Sequence, residues 1–189
     1  MSPRIPPMPD PAPEAVAILE KVMHVNGKPL NEPQTLAWHP LFLRRFALFA
    51  GFFLTQLMIP DRDKEILMMR TIHHARCEYL FGHHRITARE AGMSEEEIAR
   101  ITESATVGWS TRDALLIGIA DEVWQNSDLS DKSWAELSGV YDEPRLLEVV
   151  MLVCFIAGFV HSSTPCKSNA SRAFLAGLVK ARHFRRLGR

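Results

Sequence analysis

Apolar residues recur at helical spacing along almost the whole chain, and strand-like alternation hardly appears, so the core has to be built by packing helix on helix. The longest such pattern runs from Asp61 to Ala91, opened by Pro60 and stopped by Gly92. About thirty residues is long for one helix of a globular protein, so a break is expected near Ala75 and Arg76. Upstream, "PEAVAILEKVMH" reads as a first helix, "NGKPLNEPQTLAW" as a loop, and "HPLFLRRFALFAGFFLTQLM" as a helix begun by His39 and Pro40. The last of these is apolar nearly all round, which calls for burial in the core or under a partner subunit. Downstream, Ser94 and Glu97 form a capping box with Met93 placed to staple onto Ile98. Ser110 caps "STRDALLIGIADEVW", whose apolar residues 115, 116, 119, 120 and 123 make one face. A shorter helix ends at Gly139, Asp142 and Pro144 open a helix over 146–160, and "SNASRAFLAGLVKARHF" supplies the last. The expected fold is all-α: a single-domain bundle of about seven or eight helices over 14–189.

Composition narrows the function classes. Lysine plus arginine equals aspartate plus glutamate at 22 each. A nucleic-acid binder draws most of its affinity from a basic face, so nucleic acid is not expected as the main partner; the basic "KARHFRRLGR" reads as a solvated helix end. Three cysteines, at 77, 154 and 166, are an odd number and no disulfide framework, which fits a reducing cytoplasm. Residues 1–13 are a proline-rich arm without the apolar region of a signal peptide, read as flexible or polyproline-like. The longest apolar run, "LLEVVMLVCFIAGFV", is too short to span a bilayer and contains Glu148, so no membrane partner is expected.

The densest chemistry lies in "RCEYLFGHH", residues 76–84. Seven residues are nearly two helical turns, so Cys77 and His84 would share a face with Leu80, Thr87, Ala88 and Ala91, while Glu78, Arg85 and Arg89 lie elsewhere. A cysteine at a helix start would have its thiolate favoured by the dipole. Upstream, Glu65 lies on a stripe with Met68, Met69 and Ile72, and a carboxylate on an apolar face needs a partner. A metal held by His73, Cys77 and His84 would require residues 61–91 to be one unbroken helix and lacks an established ligand spacing. No metal or cofactor is expected.

Together, "DKEILMMR", "CEYLFGHH" and "AREAGMSEEEI", with Glu65 twelve residues before Cys77 and His84 seven after it, resemble the carboxymuconolactone decarboxylase and alkylhydroperoxidase D-like family from about His39 to His161. The resemblance implies an all-α fold, assembled as trimers or hexamers, with a site between helices near a subunit boundary. It implies Glu65, Cys77 and His84 as site residues. The family's peroxidase members use a C-x-x-C pair, and here Leu80 stands in place of the second cysteine. Thiol–disulfide turnover would then need a distant or external thiol.

The expected function is therefore that of a decarboxylase-like lyase or isomerase moving a proton on a small carboxylated or lactone-like metabolite. His84 would be the acid or base, Glu65 its orienting group and Cys77 an assisting wall or proton carrier. Arg70, Arg76 or His83 could supply a cation for an anionic substrate, and Tyr79 could line its pocket. The rivals are a single-cysteine thiol peroxidase and a non-catalytic ligand-binding oligomer.

Overall fold

The computed structural model describes residues 5–25, 27–104 and 107–162. Nine α-helices and one two-stranded hairpin occur among them. They fall into two compact units divided after Gln56. The helix expected over 168–184, together with Cys166 and the basic C-terminus, lies outside the described residues.

In the first unit, α1 (Pro13–Leu19) starts at proline as expected but stops five residues short of His24. The chain instead turns into a hairpin of β1 (His24–Val25) and β2 (Lys28–Pro29), paired antiparallel with His24 opposite Pro29. Gly27 supplies the positive φ of 74° that the connection requires. The adjacent pair Asn26 and Gly27 is a strong hairpin signal, read as a loop because each strand is only two residues long. The segment expected as a loop also holds α2 (Asn31–Leu36), with Pro33 in its first turn and Gln34 Nε2 donating to the Pro29 carbonyl at 2.7 Å. α3 (Pro40–Thr55) begins as the sequence suggests: Pro40 takes the first position and His39 Nδ1 accepts from the Phe42 N–H at 3.2 Å.

Ala15, Leu19, Ala37 and Leu43 form a small core, with Met8, Ile18, Val22 and Leu36 packed against it. Part of the proline-rich arm is fastened here, since the Met8 N–H donates to the Gln34 carbonyl and Trp38 Nε1 to the Pro6 carbonyl. Only Leu43 and Phe53 of α3 are buried, whereas Leu41, Phe42, Leu48, Phe49 and Phe52 are exposed.

The second unit is organised around α4 (Asp61–His74). It packs against α5 (Glu78–Glu90), α7 (Thr111–Asn126) and α9 (Glu143–Ser162), so every residue from Glu65 to Ile72 is buried. The expected break falls at Ala75 and Arg76. α6 (Glu95–Arg100) carries the complete Ser94–Glu97 capping box. Ser110 caps α7, and Ser130 caps α8 (Asp131–Ser138). On α7, Ile117 is buried and Leu115 only half-buried, because α4 and α9 approach that helix from two sides.

Ile66, Leu67, Met69, Ile72, Leu116, Ile119 and Leu152 are fully buried, each worth about 1.5–3 kcal/mol by burial. Among the described residues, no helix is long and apolar enough to cross a membrane.

Charge inside this unit is paired. Glu148, on an otherwise apolar face of α9, accepts the Met58 and Ile59 N–H groups at 2.8–3.0 Å and so fixes the entry to α4. Asp63 accepts from the Tyr141 hydroxyl at 2.5 Å and from Arg112, whose guanidinium also lies 5.0 Å over the Tyr141 ring. Burial and the neighbouring Asp63 carboxylate push the Tyr141 hydroxyl pKa up. Arg62 bridges Glu97 and Asp113, tying α4 to α6 and α7.

Candidate active site

The joint between α4 and α5 sets the site. Ala75 closes α4, the Arg76 N–H donates to the His73 carbonyl at 2.9 Å, and the Cys77 N–H reaches back to the Ile72 carbonyl at 3.3 Å. These are the two hydrogen bonds of a Schellman turn, which requires its intermediate residue to be left-handed. Here that residue is Arg76, at φ 53°. Glycine is usual at such a position, and a side chain there costs about 1–2 kcal/mol. α5 ends in the same turn at Gly92, φ 87°, with Met93 N–H bonded to the Ala88 carbonyl.

The turn makes Cys77 the residue that caps α5, with its side chain buried and not used in capping. The thiol is thus at the positive end of the α5 dipole. As a cap, Cys77 has non-helical backbone (φ −94°, ψ 82°), so the face it was expected to share by helical spacing is carried within α5 by Leu80, His84, Thr87 and Ala88 alone.

Glu65, on α4, is 2% exposed, and such a carboxylate is costly unless it accepts hydrogen bonds. It accepts two. His84 Nδ1 lies 2.8 Å from its Oε2, and Thr87 Oγ1 lies 2.8 Å from the same oxygen. Where Nδ1–H donates to this oxygen, Nε2 on the other side of the ring is left directed away from the carboxylate. The structure therefore brings Glu65 and His84 together on the helices that also carry Cys77. Thr87 entered the sequence reading only as part of the inward face; its spacing of three from His84 was the signal that both could reach one acceptor.

The candidate substrate groups divide differently. Arg70 is buried, with its guanidinium bonded bidentately to Asp121 at 2.5 and 2.8 Å and to the Ile101 and Glu103 carbonyls at 2.7 Å. His74, stacked on Trp124, adds a 2.5 Å contact to Asp121. Arg70 thus clamps the end of α6 to α7 instead of facing a ligand. Tyr79 meets His83 edge-on, with ring centroids 4.6 Å apart. Burial, with the neighbouring His84 adding to it, pushes His83 down to about 4, so that ring is neutral at physiological pH and offers no charge to an anion. Arg76 is exposed beside the cysteine. The turn at Arg76 also interrupts the single helix on which a His73, Cys77 and His84 metal site would have depended.

Among the described residues, then, a buried carboxylate–imidazole pair joins two consecutive helices, the second of them begun by a cysteine. Residues 40–121 match the carboxymuconolactone decarboxylase family. The matched stretch contains Glu65, Cys77 and His84. By structure, the chain is similar to the crystal structure of an uncharacterized peroxidase-related protein from Silicibacter sp. TM1040. The TM-score is 0.65 at 14% identity, covering 97% of this chain and 96% of that one, a likeness of fold. No curated protein matches the sequence.

Proposed function

We propose that the chain is an enzyme of the decarboxylase-like type, a lyase or isomerase that moves a proton on a small carboxylated or lactone-like metabolite. One observation carries the reading: a buried carboxylate 2.8 Å from the Nδ1 of His84. In this arrangement His84 Nε2 takes a proton from substrate carbon, Glu65 stabilises the imidazolium so formed, and the same nitrogen returns the proton to the product. Cys77 lines the reacting face, Tyr79 walls it, and Arg76 is the cation best placed for a substrate carboxylate. The neutral His83 and the committed Arg70 are left out of that role. Residues of this kind contribute about 10²–10⁴-fold to a rate.

A second reading is a single-cysteine thiol peroxidase, supported by Cys77 at a helix start and by the structural neighbour's description as peroxidase-related. Against it stands Leu80, which denies Cys77 a local disulfide partner. The exposed apolar row on α3 supports assembly as a homo-oligomer, and the odd cysteine count supports a cytoplasmic location.

The test is turnover against a panel of lactones, muconates and organic hydroperoxides, the last supplied with a dithiol. Consumption of a lactone or muconate without dithiol is the expected result. Dithiol-dependent loss of hydroperoxide alone would move the assignment to the second reading.

A further inference from the structure

We infer that Thr87 is a positioning residue of this site, holding the Glu65 carboxylate in the orientation that keeps the His84 proton on Nδ1. The inference rests on the acid–base reading above and adds a residue to it. Oε2 of Glu65 receives two donors, His84 Nδ1 and Thr87 Oγ1, each at 2.8 Å. Both belong to α5 at a spacing of three, so they project side by side, while the acceptor belongs to α4.

The terminal torsion of a glutamate is broad, and a single donor leaves the carboxylate free to swing about it. Two donors fixed on one rigid helix remove that freedom. Threonine suits the task because its β-branch stiffens χ1. Its one hydroxyl proton has two acceptors in reach, Glu65 Oε2 at 2.8 Å and the His84 carbonyl at 3.2 Å. The nearer acceptor takes it. A carboxylate held in this way fixes the imidazole tautomer, since only Nδ1–H satisfies Oε2 while Nε2 stays open to a substrate. Valine has nearly the same shape as threonine without the donor, so it separates hydrogen bonding from packing.

The experiment is a long-range ¹H–¹⁵N correlation spectrum of the full chain labelled at histidine, in mildly alkaline buffer, with His84 identified by its loss in His84→Gln. Wild type and Thr87→Ser are expected to show His84 as the Nδ1–H tautomer alone. Thr87→Val is expected to lose that pattern and shift toward the Nε2–H form, which an unconstrained imidazole prefers. Should Thr87→Val not fold, Thr87→Ala is read in its place with the same outcomes.

A threonine that merely packs would lower the melting temperature in Thr87→Val and leave the tautomer as in wild type, and that result overturns the proposal. So would a Thr87→Ser variant that behaves like valine. The measurement needs no substrate. Failure to find turnover would count against the acid–base reading alone.

Discussion

Glu65 opens the buried run of α4 that continues to Ile72, and α5 brings two donors to its carboxylate. The adjacent histidines on α5 have opposite fates. His84 is turned to the carboxylate, whereas His83 is pressed against Tyr79 and held neutral by burial, down to about 4. The consequence for stability has a definite sign. An unfolded histidine binds its proton near pH 6.5, so between about 6.5 and 4 the unfolded state holds more protons than the folded one. Stability contributed by neutral His83 is present above that range and is lost as pH falls through it. Urea unfolding at pH 7 and pH 5 should show a smaller loss for His83→Gln than for wild type, and equal losses would contradict the assignment. That His84 shares a stripe with Leu80, Thr87 and Ala88 was legible from helical spacing, although Cys77, as a non-helical cap, stands outside that helical face. The neutrality of His83 was not, because it depends on what surrounds the ring.

At the scale of elements, the joint between α4 and α5 shows what pattern can and cannot foretell. The length of the 61–91 pattern placed the break correctly, but nothing in "HARC" announces a left-handed residue, because arginine is an unusual choice there. Gly92 announced the second turn plainly. Arg76→Gly should therefore be neutral or stabilising by up to about 1 kcal/mol, the relief of left-handed strain offsetting the greater freedom of glycine when unfolded. Arg76→Val should destabilise by about 1–2 kcal/mol, since a β-branched residue fits that conformation poorly. Denaturant midpoints of the two variants check this, and a valine variant as stable as glycine would refute the strain. The amino-terminal hairpin and α2 were illegible for another reason: two-residue strands and a six-residue helix with an early proline leave no periodicity to read. The Arg70 clamp escaped as well, because its partner Asp121 is 51 residues away in sequence.

For the whole molecule, the all-helical fold and the meeting of Glu65 with His84 were within reach of the sequence, while the partners that fix the other buried charges came only from packing. The first unit contains a further consequence of packing. Glu32 is buried with neither carboxylate oxygen hydrogen-bonded, and burial raises its pKa. Folded protein then holds this proton more tightly than unfolded protein does, so stability falls as pH rises from about 4 toward the raised value. Glu32→Gln should flatten that part of the stability profile, and an unchanged slope would show that Glu32 does not titrate there.

The central claim, that His84 backed by Glu65 carries the chemistry and Cys77 assists, is tested most directly by comparing Cys77→Ser with His84→Ala on the substrate the panel identifies. Cys77→Ser should keep kcat within about tenfold of wild type, and His84→Ala should lose about 10²-fold or more. Loss of activity in Cys77→Ser with activity retained in His84→Ala would contradict the account and assign the chemistry to the thiol.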